Sequence, residues 1–212
     1  MNILFALLVA ISFVAVVAGG FGARKTRRLA KTVSQILETV FTPLETRYTN
    51  IGGLVGYHFV YSVSPPFGEV TGTMTFLPRH TALYLPLSLF AGREDRLAIY
   101  FQFESSPAGQ GHIVDAKHFR HGWITVDDIE NMSRTNLVRN GIEFTIFTYN
   151  PLVRDRLADL VEKFPEQAGL RHFAYNAADR TVLIEIRPNV DTLLDILNSV
   201  KQLLPNFAQS PL

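Results

Sequence analysis

The longest unbroken hydrophobic pattern comes first. From Ile3 to Ala23 there is no charged side chain, and Ser12 is the one polar position. As a helix rising about 1.5 Å per residue, this run spans roughly 30 Å, the hydrocarbon thickness of a bilayer. The pattern then becomes periodic. Leu29, Val33, Ile36, Leu37, Val40, Phe41 and Leu44 recur at three- and four-residue steps, with Lys31, Gln35, Glu38 and Thr42 on the other side. That spacing predicts an amphipathic helix over 24–44, ending near Phe41 to Thr42 because Pro43 pushes the preceding residue out of the helical region. Gly19, Gly20 and Gly22 are expected to let this helix turn away from the span. Its apolar stripe is expected to pack on the following domain, the alternative being a place in the lipid interface.

Period-two patterns follow. "LVGYHFVYSV", "EVTGTMTFLP" and "RLAIYFQFES" alternate or carry aromatic and β-branched residues between Gly and Pro breaks, and "GHIVDAKHF" and "GWITVDD" are weaker strand candidates. They predict an antiparallel β-rich lobe over 45–119. Beyond residue 120, "GIEFTIFTYN" predicts a strand and "PLVRDRLADLVEKF" a helix with Pro151 in its first turn. "LRHFAYN" and "RTVLIEIRP" predict a hairpin around Ala177 to Asp179. "VDTLLDILNSVKQLLP" predicts a closing helix capped at Asn189 or Asp191. The expected class is α+β: an anchor over 1–23, a juxtamembrane helix over 24–44, a β-rich lobe over 45–119, an α+β lobe over 120–207 and a tail over 208–212.

Charge refines the first element. Arg24, Lys25, Arg27, Arg28 and Lys31 follow the apolar run, and no base precedes it. A secretory signal carries its bases ahead of a shorter apolar core, although Ala18 and Ala23 would each serve as a small cleavage-site residue. The positive-inside bias therefore predicts a retained single-pass anchor, N-terminus outside and domain cytoplasmic, with those five bases at the lipid headgroups. The net charge of +1 argues against a nucleic-acid partner, and the absence of cysteine removes disulfides and thiol catalysis. Asn131-Met132-Ser133 is a glycosylation sequon that matters only in a lumenal domain.

Candidate chemistry is sparse. No phosphate loop, nucleophile elbow or cysteine metal motif is present, so no cofactor is expected. His112, Asp115, His118 and His121 are the weak metal candidates, but on a strand His112 and His118 share one face while the other two share the opposite one. Asp127, Asp128 and Glu130 are read as the acidic first turn of a short helix rather than an acid–base pair. Trp123 is read as core, and Arg93-Glu94-Asp95-Arg96 as a solvated turn.

One stretch resists this reading. "TALYLPLSLFAG", from Thr81 to Gly92, has no charge, and Pro86 in its centre disfavours a regular inner strand. It is either two short core strands kinked at Pro86, or an edge or loop presenting Leu83, Tyr84, Leu85, Leu87, Leu89 and Phe90 to lipid or a membrane partner. The expected function is accordingly a non-enzymatic binding or scaffold module at the bilayer, with an integral membrane protein as its partner. The alternatives are a lipid-binding protein with an apolar groove, and a metal-dependent enzyme built on residues 112–121.

Overall fold

The computed structural model describes residues 3–103, 109–166, 169–176 and 179–209. The expected hairpin turn at Ala177 and Ala178, and the tail from residue 210, lie outside them. The chain runs α1 (Ile3–Phe41), β1 (Glu45–Asn50), β2 (Gly56–Ser62), β3 (Phe67–Thr75), α2 (Tyr84–Phe90), β4 (Arg96–Phe103) and β5 (Gln110–Asp115). It continues with α3 (Ala116–Arg120), a 3-10 turn at Ile129–Asn131, β6 (Ser133–Arg139), β7 (Ile142–Thr148), α4 (Pro151–Lys163), β8 (Leu170–Asn176), β9 (Thr181–Ile186) and α5 (Leu193–Gln209).

The α+β class is as expected, with the nine strands of the described residues in one sheet ordered β1-β2-β3-β4-β9-β8-β5-β7-β6 and each pair antiparallel. β4 pairs with β9 and β5 lies between β8 and β7, so strands from both expected lobes are shared within one sheet. The alternation in β4 shows why. Leu97, Ile99, Phe101 and Phe103 are buried on one face, opposite Ile184 and Val182 of β9, while Ala98, Tyr100 and Gln102 face the other way. The second half of α1, with α4 and α5, covers the first face through Val33, Leu37, Val40, Leu157, Leu160, Ile196 and Val200. Phe41 meets Phe101 edge-on at 5.7 Å, and Lys201 of α5 donates to the Val40 carbonyl at 2.6 Å. On the opposite face, Val114, Ile124, Met132 and Phe147 form a smaller cluster beneath residues 119–132.

Several expectations change. Gly19, Gly20 and Gly22 do not interrupt α1, which is one 39-residue helix. A β-carbon on Gly19 would come within 2.6 Å of the His80 carbonyl oxygen, and one on Gly22 would overlap that of Arg79. Gly19 and Gly22 serve close approach of the β3–α2 connection rather than a bend; a β-carbon on Gly20 would meet nothing. "GWITVDD" forms no strand, and "GHIVDAKHF" stops being one at Asp115, whose carboxylate accepts from the Lys117 and His118 amides and caps α3. The two sheet edges, β1 and β6, are strands where no strand is expected. Of the acids expected in the first turn of a short helix, Glu130 lies within a 3-10 turn, Asp128 stands at its N-cap and Asp127 just ahead of it.

Candidate functional site

One end of the sheet gathers the features left over by core packing. The end of β3, the start of β4, the end of β9, the start of β8 and the end of β5 lie there together, because Thr75 pairs with Arg96, Leu97 with Ile186, and Leu170 with Ile186. α2 bridges β3 to β4 at this end. The Thr81–Gly92 stretch is therefore neither a kinked strand pair nor an extended edge; it is a turn leading into a helix. Pro86 is tolerated because it stands in the first turn, where its missing N–H has no intrahelical partner to lose.

α2 is inverted relative to an ordinary surface helix. Its buried residue is Ser88, while Phe90 is 92%, Leu83 76% and Leu87 62% exposed, with Tyr84 and Leu89 also outside and Leu85 half-buried. Each such side chain left in water forgoes roughly 1.5–3 kcal/mol of burial. The patch is also placed. Arg79 and His80, just ahead of α2, rest on Gly22 and Gly19 of α1, inside the uncharged run. Gly19 precedes Arg24 by about 7.5 Å of helix. Residues 3–14 of α1 are exposed apolar surface, whereas Thr26, Ala30 and Val33 are buried against the domain and Arg24, Lys25, Arg27, Arg28 and Lys31 point outward. α1 is long and apolar enough to cross a membrane.

Beneath α2 lies a cavity of about 510 Å³. Val55, Phe76, Leu77, Tyr84 and Trp123 give it apolar walls, and Arg93, Glu94, Arg96 and His118 bring charge to it. Trp123, expected in the core, is half-buried, with His121 stacked on it and His118 edge-on, both at 5.0 Å. Its ring occupies the space where a side chain at Gly92 would stand, and Gly92 has a φ of 70° that disfavours other residues.

The charges at Glu94, Asp95 and Arg96 are not a solvated turn. Glu94 takes a two-point contact from Arg171 (2.6 and 3.1 Å) and lies 3.2 Å from His118 and 3.7 Å from Arg187. Arg171 also donates to Asp115 at 2.9 Å, so it separates two carboxylates. Burial alone would raise the Glu94 carboxyl, but Arg171, then His118 and Arg187, outweigh it and hold the group below the usual range. Burial likewise opposes the charge on Arg171, and Glu94 and Asp115 more than restore it. Asp95 pairs with Arg79 at 2.6 Å and accepts from the Leu77 amide, fixing the lead into α2. Arg96 clamps Glu185. The partners at 79, 171 and 185 are remote in sequence, which hides the network from local reading.

The metal candidates separate. Asp115 and His118 meet at 3.0 Å because α3, not a strand, carries His118. His121 goes to Trp123. His112 stacks with His172 on the sheet face away from α4, with ring nitrogens 3.2 Å apart. Burial lowers His112 to about 4 and His172 to about 3, so both rings are neutral near pH 7. Among the described residues no group of three His, Asp or Glu side chains is arranged to hold a metal ion. Asp128 binds Tyr149 and Asn131, and those hydrogen bonds lower its carboxyl. No protein-family model and no curated protein matches the chain.

Proposed function

We propose that this chain is a single-pass, membrane-anchored binding module without catalytic activity, and that α2 lies in the bilayer interface, where it meets a membrane partner. One observation carries this reading: the connection leading into α2 packs through Arg79 and His80 on Gly22 and Gly19 in the last uncharged turns of α1, and α2 turns its apolar side chains outward just beyond that contact. An interfacial helix sits about 5–10 Å into the headgroup–acyl boundary. The roughly 7.5 Å between Gly19 and Arg24 puts the approach to α2 at that depth. The same packing argues against cleavage at Ala23, which would part the domain from Gly19 and Gly22, the glycines that its connection rests on. The five outward bases after Ala23 support a cytoplasmic domain.

A binding role is favoured over catalysis by how the charges are used. Glu94, Asp115, His118 and Arg171 are committed to one another, and Arg96 to Glu185. Membrane fractionation with protease protection tests the anchor and its orientation. The full chain should resist carbonate extraction, and its domain should be digested only after the cytoplasmic side is opened. Crosslinking from α2 in intact membranes should then yield a discrete membrane-protein adduct. Recovery of the chain in the soluble fraction defeats the proposal.

A further inference from the structure

The cavity beside α2 is lined by the end of β3, Tyr84 of α2, the α2–β4 connection, His118 of α3 and Trp123. At about 510 Å³ it falls within the range of small-molecule sites, and it combines apolar walls with a few placed charges, as such sites do. Tyr84 connects it to the outside: its side chain lines the cavity and is also 44% exposed on the face shared with Leu83 and Leu87. A path of apolar surface therefore runs from that face past Tyr84 to Phe76, Leu77 and Trp123.

The charges at the cavity are unequal. Glu94 is neutralised by Arg171, and Arg96 by Glu185. Arg93 is exposed, and its guanidinium has no ion-pair or hydrogen-bond partner among the described residues. The excess is one cation beside an apolar cavity that opens toward α2. Resting on the anchored reading above, we infer that this cavity binds an anionic lipid drawn from the bilayer: one acyl chain lies against Phe76, Leu77 and Trp123, and Arg93 holds the headgroup. A guanidinium suits a phosphate or carboxylate oxygen because its donors form a planar fork. The bilayer supplies the ligand already oriented, chain inward and head at the level of the bases.

Trp123 is the chain's one tryptophan, so its emission reports directly on the cavity. The full chain is reconstituted in vesicles in which either phosphatidylglycerol or phosphatidylcholine carries brominated acyl chains, which quench tryptophan on contact. Brominated phosphatidylglycerol should quench Trp123 at a mole fraction about tenfold below that of brominated phosphatidylcholine, as loss of one charge-assisted contact implies. Arg93→Gln should erase that difference. Ala91→Phe, which fills the cavity from an exposed position with ordinary backbone angles, should abolish quenching by both lipids while membrane recovery stays unchanged. Equal quenching by the two lipids means mere immersion and overturns the inference, as does undiminished quenching in Ala91→Phe. A response to inorganic phosphate alone, without lipid, also overturns it, because the ligand is then a free anion. Loss of the wild-type chain from the membrane pellet instead overturns the anchored reading beneath it.

Discussion

α2 and α4 are helices of one domain with opposite solutions to the same problem. α4 buries Val153, Leu157, Leu160 and Val161 against the sheet, is capped by the Asn150 side chain, and turns Arg154, Asp155 and Lys163 outward. α2 has no side-chain cap, buries Ser88 and turns Leu83, Leu87, Leu89 and Phe90 outward. Water explains α4: its apolar stripe leaves solvent and its charges stay in it. Water does not explain α2. An exposed apolar face that size is ordinarily a contact surface, and on the anchored reading proposed above the bilayer is the medium that would make the arrangement favourable.

The comparison predicts opposite responses to the same substitution. Leu157→Asp places an unpaired carboxylate in the core and should cost more than about 4 kcal/mol, enough to unfold the domain in a denaturant titration. Leu87→Asp should leave the unfolding midpoint of the detergent-purified chain nearly unchanged while weakening its α2 crosslinks. If Leu87→Asp unfolds the domain as Leu157→Asp does, α2 is core and the comparison collapses.

Next in size, Arg171→Met removes the cation between Glu94 and Asp115. Leaving those carboxylates uncompensated should cost about 3 kcal/mol by thermal melt. The loss should be smaller in acid, where the Glu94 carboxyl can protonate.

Acid separates α2 from the sheet in another way. His112 and His172 have folded values of about 4 and about 3, below the unfolded 6.5. Between those limits the unfolded chain binds more protons, so stability is full above pH 6.5 and falls as pH drops toward 4. From pH 7.5 to 5.5 the loss is about 1.4 kcal/mol per histidine. His172→Phe should flatten the slope. α2 has no titrating group but Tyr84, so its crosslinks should persist over the same range. The smallest effect belongs to Leu87→Ala, which should change stability by no more than about 0.5 kcal/mol, against about 3 kcal/mol for Leu157→Ala.

How much the sequence reveals follows the same division. α4 and the β8–β9 hairpin are legible because their periodicity is imposed by a core face, and β7 because its apolar and β-branched run is buried on both faces. β1, "ETRYTN", is exposed throughout and β6, "SRTNLVR", nearly so, hence neither carries a period-two apolar signal. "YLPLSLF" is not assignable by periodicity because its apolar side chains face outward and Ser88 is the buried position, so no core face imposes a period. Of the six residues expected there as a contact surface, Leu83, Tyr84, Leu87, Leu89 and Phe90 are exposed and Leu85 is half-buried; what they contact is proposed above. The Glu94–Arg171–Asp115 network is illegible for a topological reason: β8 brings residue 171 beside β5 and the α2–β4 connection from 56 and 77 residues away. Asp115 hid differently, since capping α3 turns His118 toward it where a continued strand would have held the two apart.

The central claim is that α2 lies in the interface beside the end of the α1 span. The chain has no cysteine, so single nitroxide labels can be placed at Leu87→Cys on α2 and Leu152→Cys on the exposed side of α4. In vesicles of the full chain, the label at 87 should be reached by oxygen and shielded from a water-soluble nickel chelate, at a depth of about 5–10 Å. The label at 152 should show the reverse. Equal access of the chelate to both positions would contradict the account, because α2 would then be an apolar face standing in water.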